Sequence, residues 1–238
     1  MKTQDTNITV RKANERGRSQ LNWLDSYHTF SFAEYMDPAH MGFSSLRVIN
    51  DDVIQPGGGF GMHPHHSMEI FTYVISGELK HKDSMGNGSV IKAGEFQYMS
   101  AGEGVMHSEF NASEENPVHL LQIWIRPKHG GGEPLYHELD TNALEPNGGL
   151  TLFASGDGRD GSIQMRQNAE IYFGKLASDQ TAKVEPSGTL DHTWLHLISG
   201  ELSVDGNRLA PGDGAAISTS QFELEAGEDS EFLLFRLS

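Results

Sequence analysis

The stretch Gly57-Gly58-Gly59-Phe60-Gly61-Met62-His63-Pro64-His65-His66-Ser67-Met68-Glu69 decides how the chain is read. A second stretch, Ala101-Gly102-Glu103-Gly104-Val105-Met106-His107-Ser108-Glu109, answers it 44 positions later. Each carries two metal-type ligands two residues apart. Side chains alternate faces along an extended strand, so His63 and His65 point to one side, and His107 and Glu109 do the same. Two such strands facing the inside of one barrel bring four ligands together. Three imidazoles and one carboxylate around a divalent ion leave about one net positive charge and can leave coordination positions open. Glu69 keeps the parity of His63 and His65, so the residue pattern leaves it open as an alternative carboxylate ligand. His66 has the opposite parity and is expected to face away.

The surroundings read as strand after strand. Ile70 to Ile75 is rich in β-branched and aromatic residues and ends at Ser76-Gly77. Leu79 to Asp83 and Ser89 to Lys92 flank Met85-Gly86-Asn87-Gly88, where the Asn-Gly step signals a hairpin. Ala93-Gly94-Glu95 is a further turn, and Val118 to Ile125 a further strand on which Gln122 is placed to line a pocket. The aromatic run Trp23 to Tyr35 is read as core and barrel-mouth packing. His81, His119, His129 and His137 are given structural or surface roles. His192-Thr193-Trp194-Leu195-His196 lacks the Glu that a zinc protease helix needs and precedes an apparent strand, so it too is read as structural. Gly156-Asp157-Gly158-Arg159-Asp160-Gly161 has dinucleotide-motif spacing, but no helix is announced after it, which makes it a turn.

The two ends of the chain look related. Ile75-Ser76-Gly77-Glu78-Leu79 recurs as Ile198-Ser199-Gly200-Glu201-Leu202, and Lys92-Ala93-Gly94-Glu95 resembles Ala210-Pro211-Gly212-Asp213. Carrying these offsets across maps His63 and His65 to Pro186 and Gly188, and His107 and Glu109 to Glu225 and Gly227. The second half is therefore expected to repeat the fold without the site. The expected division is a metal-binding domain over 1–130, a Gly- and Pro-rich linker over 131–150, and a second domain over 151–238.

Composition narrows the function. A net charge of −16, from 33 acidic against 17 basic residues, argues against direct contact with nucleic acid or anionic membrane. There is no cysteine, so thiol nucleophiles, disulfides and zinc–thiolate sites are excluded. No window approaches the roughly 18 apolar residues of a membrane span, and the polar N-terminus has no signal-peptide pattern, so a cytoplasmic protein is expected.

Gly57, His63, His65, Glu69 and Gly77 together match the first cupin signature, and cupins are small jelly-roll barrels. More specifically, the chain resembles the pirins. The residues that carry the likeness are His28-Thr29-Phe30-Ser31-Phe32-Ala33, Gly42-Phe43 with Arg47 to Asp52, His63-Pro64-His65 with Glu69, and Ser100-Ala101-Gly102 with His107-Ser108-Glu109. Gly102-Glu103-Gly104 departs from the Pro-x-Gly usual in the second cupin motif. The resemblance implies an all-β bicupin, two cupin domains facing one another, with one divalent metal in the N-terminal domain. It places the ligands at His63, His65, His107 and Glu109, and leaves Glu69 as a pocket wall or a group behind the ligands.

The likeness is closest to bacterial pirin-like proteins with quercetin 2,3-dioxygenase activity. It implies a metal-dependent enzyme acting on a flavonol and O2, with Glu109 as catalytic base. Fe(II) is the favoured ion, while Zn, Mn, Co, Ni or Cu suit the same donors. The alternative is a redox-responsive, metal-binding regulatory protein that works through a protein partner, as other pirins do.

Overall fold

The computed structural model describes residues 8–141, 148–219 and 221–238. The polar arm 1–7 and the 142–147 part of the expected linker lie outside the described residues. In chain order the strands are β1 (Ile8–Arg11), β2 (Gly17–Gln20), β3 (Leu24–His28), β4 (Leu46–Ile54), β5 (Gly59–His65), β6 (Glu69–Ser76), β7 (Glu78–Asp83), β8 (Gly88–Lys92), β9 (Glu95–Ser100), β10 (Val105–Asn111) and β11 (Val118–Ile125). They continue as β12 (Leu135–Asp140), β13 (Leu150–Ser155), β14 (Ile163–Gln164), β15 (Ala169–Leu176), β16 (Thr181–Val184), β17 (His192–Ser199), β18 (Leu202–Val204), β19 (Asn207–Leu209), β20 (Gly214–Ile217), β21 (Phe222–Ala226) and β22 (Ser230–Leu237). The protein is all-β, and among the described residues no helix is long and apolar enough to cross a membrane.

Contacts divide the chain into two compact units. The first is Gly17–Leu144 with Met165–Gln167; the second is Met1–Arg16 with Glu145–Gln164 and Asn168–Ser238. In the first unit a seven-stranded sheet runs β12-β9-β6-β11-β4-β3-β2 and a four-stranded sheet runs β5-β10-β7-β8. In the second unit the corresponding orders are β1-β20-β17-β22-β15-β13-β14 and β16-β21-β18-β19. The orders superimpose strand for strand, with β5 answering to β16 and β10 to β21. The repeated Ile-Ser-Gly-Glu-Leu lies at the same place in both, the β6–β7 and β17–β18 turns. There Gly77 has φ +81° and Gly200 φ +82°, a conformation that side chains with a Cβ rarely adopt.

Two features depart from the expected domain division. The strand β1 pairs with β20, so residues 8–11 belong to the second unit rather than to the N-terminal one. Within the stretch expected to be a linker, β12 pairs with β9 along its whole length. This edge strand is mostly exposed, so it lacks the apolar alternation that marks a buried strand. Gly156 to Gly161 forms a turn between β13 and β14, with a short 3-10 segment at Arg159–Gly161, as its flanking sequence implies.

In the second unit an apolar cluster joins both sheets: Leu195, Leu197, Phe232 and Leu234 of one meet Val184, Leu202, Phe222 and Leu224 of the other. Two clusters of buried apolar residues lie in the first unit. One gathers Leu24, Ile54, Val74, Leu79, Ile91, Val118 and Leu120; the other gathers Ile70, Met99, Ala101 and Val105. Burying apolar area of this kind stabilises each sandwich by roughly 25 cal/mol per Å².

Gly77→Ala is expected to lower stability by roughly 2 kcal/mol or more, because the added Cβ would lie 2.7 Å from the Pro117 carbonyl oxygen in a left-handed backbone. Urea unfolding of the two proteins measures the difference.

Candidate metal centre

The centre is built on the antiparallel pair β5–β10. His107 lies directly opposite His63, and Val105 opposite His65. Glu109 lies opposite Phe60, so Gly61 and Met62 together face the single residue Ser108. This is a β-bulge, which re-aims side chains next to it. It turns Phe60 and His63 into the same cavity although they are three residues apart. The bulge also frees the Gly61 carbonyl, which accepts a 2.8 Å hydrogen bond from His63 Nδ1. Gly59 is needed for the close approach of the strands, since a Cβ there would lie 2.5 Å from the Glu109 carbonyl oxygen and the Phe110 Cα.

Three of the four expected ligands converge. Ring nitrogens of His63, His65 and His107 all lie within 4.8 Å of one another, and His107 Nε2 is 3.0 Å from His63 Nε2. Glu109 falls in an overlapping group with His107 and His81. Its carboxylate accepts hydrogen bonds from Thr72 Oγ1 at 3.1 Å and Gln122 Nε2 at 2.6 Å. Gln122 therefore lines the pocket, as its strand position suggests, and also holds Glu109.

Electrostatics favour lone pairs over protons at the rings of His65 and His107. Burial, then the neighbouring His63, holds His65 down at about 4. Burial, then His63 and His65, holds His107 down to about 2. Burial pushes Glu109 up to about 7, with the hydrogen bond from Thr72 opposing it and the nearby Asp52 adding to it. Three clustered imidazoles beside a buried carboxyl group make a donor set that suits a divalent cation. His63 is oriented by its Gly61 partner, as ligating histidines commonly are. Nδ1 of His107 is buried and without a hydrogen-bond partner.

Glu69 is elsewhere. The strand run ends at His65, Ser67 turns the chain with φ +49°, and Glu69 opens β6 in the other sheet. Strand parity therefore does not carry across from His65. Glu69 accepts hydrogen bonds from Tyr98 Oη at 2.5 Å, Ser100 Oγ at 2.7 Å and the Arg166 backbone N–H at 2.9 Å. His66 and His129 are exposed, and His119 pairs with Asp51 at 2.6 Å. His137 stacks on Tyr98, and His196 is buried on β17.

Sequence reasoning passed over His81. It lies opposite Glu109 on β7, is buried, stacks on Tyr136 and pairs with Asp83 at 3.3 Å. Burial lowers its pKa, with Asp83 opposing. Only its inward position in Leu79-Lys80-His81-Lys82-Asp83, alternating with lysines, could have marked it.

The imidazoles open on a cavity of about 610 Å³ within the first unit, a volume that suits a small-molecule ligand. Two edge-to-face aromatic pairs stand in its walls, Trp23–Phe60 at 5.1 Å and Phe32–Trp124 at 5.4 Å. A polar stripe crosses it: His28 bonds Ser19 and Asn50 at 2.8 Å each, and Asp52 lies beside Ser26.

Residues 9–125 match the family model described as Pirin, and residues 152–237 the model described as Quercetinase C-terminal cupin domain. Quercetin 2,3-dioxygenase of Escherichia coli K12 is 48% identical over 231 residues, covering 97% of this chain and 98% of that protein. The chain belongs to the pirin family. A putative quercetin 2,3-dioxygenase of Pasteurella multocida is 45% identical, over 97% of this pirin and 99% of the relative. The crystal structure of the bacterial pirin YhhW from Escherichia coli in complex with nickel(II) has a TM-score of 0.91 and 46% identity, covering 97% of this pirin and 98% of that chain. The two-cupin architecture is thus that of the pirins.

Burial lifts the Asp52 carboxyl from 3.8 to about 7. Its folded-state pKa is above the unfolded one, so its contribution to stability is full below about pH 4 and is lost as pH rises through 7. Asp52→Asn is expected to flatten that slope in the metal-free protein and raise stability at pH 8 by on the order of 2–4 kcal/mol. Denaturant unfolding from pH 4 to 8 reads the effect.

Proposed function

We propose that this pirin is a metal-dependent dioxygenase that cleaves a flavonol such as quercetin at its 2,3 bond with O2. The observation that carries the reading is the meeting of three imidazoles and one buried carboxyl group at an aromatic-walled cavity. The quercetin 2,3-dioxygenase names of relatives at 45–48% identity support it.

His63, His65, His107 and Glu109 would hold one divalent cation. Fe(II) is the ion we favour, and nickel(II) in YhhW is in keeping with a donor set that accepts several ions. Such a cation supplies Lewis acidity, lowering the pKa of a bound enol hydroxyl and bringing the substrate and O2 together.

The chain's own residues do the rest. Glu109 is the base that removes the flavonol 3-hydroxyl proton. Thr72 and Gln122 fix its carboxylate while the proton moves. Trp23, Phe60, Phe32 and Trp124 present apolar surface to a flat ring system and keep bulk water from the reacting face. Both oxygen atoms of O2 enter the opened product, and carbon monoxide leaves.

Elemental analysis is expected to find about one divalent cation per chain. Oxygen uptake with quercetin should require it and disappear in His63→Ala and His107→Ala. Glu109→Gln, which keeps the shape but not the base, should lower kcat by roughly 10²- to 10⁴-fold. Undiminished turnover by metal-free protein contradicts the proposal.

A further inference from the structure

The cavity holds polar atoms that the metal centre does not use. Asp52 lines it and is 2% exposed, and its Oδ1 has no hydrogen-bond partner. Gln122 lines it at 7% exposure; its amide nitrogen is committed to Glu109, and its Oε1 has no partner. The two residues lie on neighbouring strands, since Asn50 of β4 pairs with Gln122 of β11 and Asp52 with the adjacent inward position Leu120. Diagonal neighbours on one sheet face lie within reach of a single small ligand. A buried polar atom without a partner costs stability, commonly by about 1–3 kcal/mol, and unsatisfied groups of this kind concentrate where a ligand completes them. Two of them sit side by side, facing the same space.

We propose that Asp52 Oδ1 and Gln122 Oε1 form a hydroxyl-binding subsite that selects polyhydroxylated aromatic ligands over their unhydroxylated parents. The subsite rests on the flavonol reading of the cavity and adds to it. It receives a phenolic hydroxyl other than the one that loses its proton to Glu109, and so fixes which way round the ring system enters. The rest of the stripe backs it. Ser26 bonds the other side of Asp52, and Asn50 is held by His28, which leaves these acceptors open. The aromatic walls supply affinity without direction, while the acceptors supply direction, because a site built to bond a hydroxyl rejects the ligand that lacks it.

The test is binding by the metal-loaded protein under nitrogen, where no turnover occurs. The probes are quercetin and 3-hydroxyflavone, which keeps the 3-hydroxyl and 4-carbonyl pair but has no other hydroxyl. Wild-type protein should bind quercetin about tenfold or more tightly than 3-hydroxyflavone. Asp52→Leu should weaken quercetin by about tenfold, leave 3-hydroxyflavone within about twofold, and melt no lower than wild type, since it removes an unpaired buried polar group. A merely structural Asp52 would instead give a lower melting temperature and equal losses for both ligands, which overturns the subsite. Equal wild-type affinities overturn it without any variant. Binding of neither ligand overturns the flavonol reading as well, which separates the two failures.

Discussion

Everything at the centre depends on the register between β5 and β10. The pairing puts His107 opposite His63, and a shift by one residue would turn one pair, His63 with His65 or His107 with Glu109, to the outer face and part it from the other. The bulge at Gly61–Met62 is part of the same device. It lets Phe60 and His63 share a face and supplies the carbonyl that sets the His63 ring. Gly59 permits the two backbones to meet closely enough for that register to form. His65 and His107 are too crowded and too buried to hold protons easily, which is the condition under which their nitrogens are available to a cation.

The same scaffold is used twice to different ends. In the second unit the strands that answer to β5 and β10 bury Ala182, Val184, Phe222, Leu224 and Ala226, all part of one apolar cluster. In the first unit the strands β5 and β10 instead place His63, His65, His107 and Glu109 along a cavity. The first unit keeps a cavity there. The unsatisfied groups Asp52, Gln122 and His107 Nδ1 are the local cost of that choice.

Much of this was legible in the sequence because it rests on local rules. The strands from β6 to β8 and β11 follow from alternation, from Asn87-Gly88 and from Gly77, and the repeated Ile-Ser-Gly-Glu-Leu announces the second sandwich. The two His-x-ligand pairs identify the site because period-two alternation survives along each strand. What failed were inferences that needed continuity. Parity from His65 to Glu69 is broken by the turn at Ser67. The offset that maps His107 to Glu225 lands on an outward-facing residue of β21, since strand lengths differ between the repeats. Strand β12 was hidden in a Gly- and Pro-rich stretch because an exposed edge needs no apolar face, and β1 reaches β20 through a pairing of very distant residues that no local pattern encodes. His81 and Asp52 were passed over because a lone buried polar residue has no motif; only the packed cavity gives it a role.

The most direct test of the account is an anomalous diffraction map of crystals of the metal-loaded protein, collected at the absorption edge of the ion found by elemental analysis. The account predicts one strong peak in the first unit, shared by the ring nitrogens of His63, His65 and His107 and by the Glu109 carboxylate. A peak bound by Glu69, or one in the second unit with the three histidines unengaged, would contradict it.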